Sequence, residues 1–273
     1  MSLVVESAGL TDVGKKRKNN EDCLFVDDEL GLYLVADGMG GHQAGEVASR
    51  LVVETMSGYL RKVGEDEAAD QLPDTDETLS VAANRLLSSI KLANKSIHQV
   101  ADKQEAYYGM GSTVSAVYLA GDRLVAANVG DSPIYLIHDG EIETISVYHT
   151  VVAEQTAIDP EASGKLSPRF AHMLTRAMGV SEDVVPDYCE IQCYPGDVLV
   201  LGSDGLTNKV SEQEIRNVAG KTPPGKACRL LVDMANERGG EDNITVVIVA
   251  IKSVGKNSQG PWAALLRAVK KLF

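Results

Sequence analysis

With 273 residues, 44% of them apolar, and a net charge of −13, the chain suffices for one large domain or two small ones and is too apolar to be disordered. Its acidity excludes non-specific nucleic-acid binding, which needs clustered Lys and Arg. Its four cysteines form no CxxC pair and read as small buried thiols in a reducing compartment; with no signal peptide and no apolar stretch of membrane-spanning length, the expected location is the cytoplasm.

In chain order, the first apolar run of strand length is CLFV at 23–26, just after the basic-then-acidic stretch GKKRKNNED. The next, LYLVA at 32–36, runs straight into Asp37-Gly38. From Ala44 to Val63, Val47, Leu51, Met56, Leu60 and Val63 mark one helical face. The acidic, proline-bearing stretch at 64–78 reads as a solvated loop. A longer helix follows, with Leu86, Ile90, Ala93, Ile97 and Val100 at spacings of three and four. Strands are then predicted for TVSAVYLA (113–120), LVAANV (124–129), IYLI (134–137) and VLVLGS (198–203), the last running into Asp204-Gly205. Ser211 and Glu214 have the spacing of a capping box, and Pro223-Pro224 opens a further helix that Gly239-Gly240 stops. Asp242 stands just ahead of the apolar run ITVVIVAI (244–251). This order lacks strict β-α-β alternation, so it predicts an α+β fold of antiparallel sheets with helices packed outside.

The carboxylates fall in a pattern. Asp37 and Asp204 leave buried strands, and Asp242 enters one. If the last strand runs antiparallel to the others, all three gather at one rim of a sheet. Each Asp-Gly alone is as well read as a plain turn. Three joined to dry strands favour a shared site, because a carboxylate beside an apolar core must pair, cap something or bind a cation. All-oxygen ligation selects hard ions such as Mg²⁺, Mn²⁺ or Ca²⁺. Upstream, Arg17 precedes Glu21-Asp22, and a guanidinium fork matches phosphate oxygens.

Seven blocks in order, over residues about 9 to 251, then resemble the type 2C family of metal-dependent protein phosphatases in its bacterial form. They are TDVGKKRKNNED, VADGMGGHQAGEVAS, GMGSTVSAVYL, ANVGDSPIY, LTRAMG, PGDVLVLGSDGL and GGEDNITVVIV. The resemblance implies a four-layer α-β-β-α sandwich of two antiparallel sheets, as a catalytic domain over residues 1–251. It implies two core Mn²⁺ or Mg²⁺ ions bridged by Asp37, with the Gly38 carbonyl, Asp204 and Asp242 as further ligands. Glu21 would hold waters of the second ion, with Asp22 supporting, and Asp131 would join Asp204 around a third, weaker ion. Arg17 would clamp the substrate phosphate while a metal-bridging hydroxide attacks phosphorus. His42 is either the general acid for the leaving seryl or threonyl oxygen or a packing residue of its Gly-rich loop. The implied activity is hydrolysis of phosphoserine and phosphothreonine in proteins, by a monomer opposing a Ser/Thr protein kinase.

Two positions depart from the family pattern: GDSR reads GDSP with Pro133, and Asp-His-Ser reads Tyr148-His149-Thr150. Neither lost residue is an implied ligand or the clamp, so catalysis is expected to survive and substrate preference to change. A non-catalytic phosphoprotein-binding module and a hydrolase of small phosphoesters stay open as rivals. Residues 252–273 read as a polar linker and an amphipathic helix, with Trp262, Leu265, Leu266, Val269 and Phe273 on one face and Arg267, Lys270 and Lys271 opposite. Such a helix either docks on the parent domain or makes weak contact with a partner or an anionic membrane surface.

Overall fold

A computed structural model describes residues 3–40, 44–65, 76–159, 170 and 173–254. A five-stranded sheet runs β1 (Leu3–Asp12), β11 (Ile244–Val254), β10 (Val198–Gly202), β7 (Ile134–His138) and β8 (Glu141–Thr144). A second sheet runs β2 (Asp22–Asp27), β3 (Leu32–Met39), β5 (Val114–Ala120), β6 (Arg123–Val129) and β9 (Asp187–Gln192), with short β4 (Gly111–Ser112) paired to the end of β3. Every ladder is antiparallel.

The near-continuous apolar strands follow from burial on both faces. On β3, Leu32, Leu34 and Ala36 turn toward helices α1 (Ala44–Glu65) and α2 (Val81–Lys103), while Tyr33 and Val35 turn toward the other sheet. On β11, Ile244, Val246 and Ile248 meet the outer helices, and Val247, Val249 and Ile251 fill the space between the sheets. Burying each such side chain is worth about 1.5–3 kcal/mol. The result is the expected α-β-β-α sandwich. A short helix α3 (Val151–Ile158) and a single turn α4 (Asp204–Thr207) lie in the loops.

Helix ends follow their local signals. Ser80 caps α2 by accepting from Ala83 N. Helix α5 (Glu212–Ala219) opens with the Ser211–Glu214 capping box. Helix α6 (Pro224–Glu237) starts on proline at a position where no amide hydrogen is needed. Gly239 and Gly240, both at positive φ, then turn the chain toward β11.

Strands β1, β4, β8 and β9 and helices α3 and α4 were absent from the sequence reading. Helix α1 runs into the stretch read as an acidic loop, and β11 extends through Val254, into the stretch read as linker, where Lys252 pairs with Glu6. The four cysteines are free, as expected for buried or half-buried thiols. His42, the middle of the acidic stretch and the C-terminal amphipathic segment lie outside the described residues. No described helix is long and apolar enough to cross a membrane.

Candidate active site

The three aspartates do meet, but not at one sheet rim. Asp37 belongs to β3 of one sheet, whereas Asp204 and Asp242 flank β10 and β11 of the other. Strands β10 and β11 are antiparallel, with Gly202 opposite Val246, so the exit of one adjoins the entry of the other. The site therefore spans the end of the sandwich, where both sheets open on one cavity of about 470 Å³. Arg17, Glu21, Asp37, Asp131, Asp204 and Asp242 all line it.

The N-terminal arm is tied to this end by one side chain that the sequence reading did not single out, Asn243. Its amide nitrogen donates to the Val13 and Asn19 carbonyls, both at 3.0 Å, and its oxygen accepts from Glu21 N at 2.8 Å. Asn243 is buried, and its neighbour Asp242 accepts its backbone amide. The arm thereby carries Arg17 to Asp242 (Nη2–Oδ2 2.8 Å) and near Glu21 (Nη1–Oε2 3.8 Å). Burial lifts the Glu21 carboxyl above its ordinary range; Arg17 opposes the rise, and Asp242 adds to it.

Asp22 faces Asp37 across the β2–β3 ladder. Its Oδ2 accepts from Ser203 (2.8 Å) and Thr245 (2.6 Å), so two hydroxyls at the β10–β11 end of one sheet hold a buried carboxylate of the other. Burial pushes Asp22 up to about 7, the two hydroxyls pulling against that, while the charges of Asp204 and Asp242 add to it. Asp37 lies deep in the molecule, yet its side chain opens on the cavity. Its carboxyl is raised well above the usual range, first by burial and then by Asp22, Asp204, Asp242 and Asp131. Four carboxylates acting on a fifth place a concentrated negative field at this end of the fold.

These residues fit a hard divalent cation on three observations. Asp22 Oδ1 is buried with no hydrogen-bond partner, an acceptor without a donor. Glu21 Oε1 and the Gly38 carbonyl oxygen each stand 2.8 Å from the point where a Cβ on Gly45 would sit, a small oxygen-lined space that only glycine leaves open. The donor set is all oxygen, the preference of Mg²⁺ and Mn²⁺. Among the described residues no three acidic, His or Cys side chains form a closed ligand set. The carboxylates line an open wall instead, which suits ions that keep several waters.

A second arginine was also missed. Arg176, in the LTRAMG block, lines the cavity and donates to Asp187 Oδ2 (2.7 Å) and the Val185 carbonyl (3.1 Å). Asp187 also contacts His149 Nε2 at 2.7 Å, and His149 Nδ1 accepts from Gly130 N next to Asp131. Burial holds the His149 imidazole below its ordinary pKa, so it serves as a neutral strut. Burial of Asp187 is outweighed by its His149 and Arg176 contacts, which leave it below the usual carboxylate range. The two departures from the family pattern do not line the cavity. Tyr148 sets its hydroxyl 3.4 Å from that of Tyr135, and the Pro133 carbonyl accepts from Gly202 N.

A family model described as protein phosphatase 2C matches residues 14–226, and the chain belongs to that family. Protein phosphatase PhpP of Streptococcus pneumoniae serotype 2 is 34% identical over 259 residues, 90% of this chain and 98% of its own. The crystal structure of the Mycobacterium tuberculosis serine/threonine phosphatase PstP/Ppp matches with a TM-score of 0.77 at 30% identity, covering 92% of this chain and all of that one. The PstP catalytic domain in complex with two manganese ions also matches at TM-score 0.77, with 31% identity over 92% of this chain and 100% of that one.

Proposed function

We propose that the chain is a Mn²⁺- or Mg²⁺-dependent protein phosphatase that hydrolyses phosphoserine and phosphothreonine in proteins. The observation that carries this reading is the meeting of Asp37 with Glu21, Asp131, Asp204 and Asp242 beside Arg17 in one cavity. Bound divalent ions would supply a lowered pKa for water and polarisation of the phosphoryl group. Asp37, the Gly38 carbonyl, Asp204 and Asp242 would hold the two core ions, and Asp131 with Asp204 a third. Glu21, which lines the cavity, would hold waters of the second ion, with Asp22 supporting from behind. Arg17, anchored by Asp242, presents its remaining N–H groups to the phosphate. His42 keeps its two readings, general acid or packing residue.

In this reading the catalytic domain, placed at residues 1–251 from the sequence, extends through β11 to Val254 and works as a cytoplasmic monomer opposing a Ser/Thr protein kinase. Beyond β11, the amphipathic segment read from the sequence would dock on the parent domain or make weak contact with a partner or an anionic membrane surface. The deciding assay is turnover of a phosphothreonine peptide with Mn²⁺, with EDTA, and in Asp204→Asn. Manganese-dependent turnover lost in both controls supports the proposal. Tight phosphopeptide binding without turnover would favour a binding module, and equal or faster turnover of p-nitrophenyl phosphate would favour a small-phosphoester hydrolase.

A further inference from the structure

The backbone after Arg176 is held by a buried side chain that the catalytic reading leaves unused. Asn94, on α2, donates to the Ser181 and Glu182 carbonyls (3.0 and 2.8 Å) and accepts from Gly179 N (2.7 Å). His98, one turn along the same helix, contacts the Gly179 carbonyl at 3.1 Å. Gly179 itself stands at φ +82, a conformation that favours glycine, with Ile97 packed against it. The turn at 179–182 is thus pinned to the helix layer from several sides.

One residue of this pinned turn, Val180, is apolar and exposed. Val180 is 56% exposed and lines the cavity, with its side chain lying over Gly111 next to Met39. Val185, whose carbonyl receives the Arg176 guanidinium, is 71% exposed, and Met173, beside the cavity-lining Leu174, is 47% exposed. Single exposed aliphatic residues are ordinary. These three differ in their place: Val180 lines the cavity, and Val185 and Met173 adjoin its lining residues Arg176 and Leu174, in a chain of net charge −13. Beyond them, Glu182 and Asp183 are exposed and would repel an acidic neighbour.

We propose that Val180, Val185 and Met173 form an apolar wall that binds a large aliphatic or aromatic side chain adjoining the phosphorylated residue of a protein substrate. The inference rests on the phosphatase reading above and adds a substrate class to it. Val180 lines the same cavity as Arg17 and Arg176, so a phosphate between the two arginines would leave the next residue of the peptide beside Val180.

The test uses the full chain, Mn²⁺ and phosphothreonine peptides that differ only in carrying Leu, Lys or Asp immediately before or after the phosphothreonine. Each kcat/KM is divided by that of p-nitrophenyl phosphate in the same protein, so a general change in activity cancels. Leu is expected to exceed Asp by about tenfold at one of the two positions, the scale of a modest apolar pocket. Val185→Ser should move that ratio several-fold toward one, and the near-isosteric Val185→Thr should place it in between. Equal treatment of all peptides by the wild type, or a Leu preference undiminished in Val185→Ser, overturns the proposal while leaving the phosphatase reading intact. No turnover of the small ester or of any peptide would sink both.

Discussion

Arg17 is engaged with Asp242 at 2.8 Å, so it is both a partner of an expected ligand and the expected phosphate clamp. A clamp acts on bound substrate as well as on the transition state, so Arg17→Ala should raise KM for a phosphopeptide about tenfold and lower kcat less; an unchanged KM would count against the clamp. Asp22 makes a different kind of prediction. Its carboxyl ordinarily titrates at 3.8 but is lifted to about 7 in the fold, mainly by burial. A raised folded pKa means that the associated stability is complete below 3.8 and is lost as pH rises through 7. Asp22→Asn should therefore raise the Tm of the metal-free protein at pH 8 by roughly 2–6 °C, with little gain at pH 4. The same change should weaken Mn²⁺ binding about 10- to 100-fold by calorimetry, because it removes a support of the ligand set. A Tm that falls at pH 8 would show that the Ser203 and Thr245 hydrogen bonds outweigh the buried charge.

Among the elements, α5 and α6 are stapled by one exposed carboxylate. Glu214 caps α5 through Ser211 and reaches Arg238 at the end of α6, at 2.6 and 2.8 Å. Arg238 and Ser211 hold it at about 2, below its ordinary 4.5, so its contribution is present above 4.5 and fades as pH falls through 2. Glu214→Gln should lower the urea midpoint at pH 6, and the gap from wild type should close toward pH 2. How far such elements were legible depended on their burial. Strands β3, β5, β6, β7, β10 and β11 were read because burial on both faces leaves continuous apolar runs. Strands β1, β8 and β9 form sheet edges and carry mixed residues, so no pattern marked them. The ligand candidates were legible as carboxylates at strand ends, Arg17 with Glu21 as a charged stretch ahead of a strand, and the family blocks added Asp131. Asn243 and the Asp187 link between Arg176 and His149 were not, because their roles rest on partners distant in sequence. The turn chemistry of Asp-Gly likewise hid that Asp37 and Asp204 come from different sheets.

For the molecule as a whole, the carboxylate cluster joins metal binding to folding. Asp37, Asp22 and Glu21 all have raised pKa values, so the metal-free fold gains stability as they protonate and loses it as pH rises through those values. Saturating Mn²⁺ should consequently raise Tm far more at pH 8 than at pH 5, where protons compete for the same oxygens. A shift independent of pH would mean that the ion binds elsewhere. The partnership of β1 with β11 carries a consequence for biosynthesis. Leu3 through Asp12 find their ladder only on Ile244 through Val254, and the arm bearing Arg17 is fastened by Asn243. A nascent chain still lacking that last strand has its opening segment unpaired and Arg17, the proposed phosphate clamp, unanchored. Such a chain should emerge from the ribosome inert, becoming a working catalyst only once residues 244–254 have been delivered.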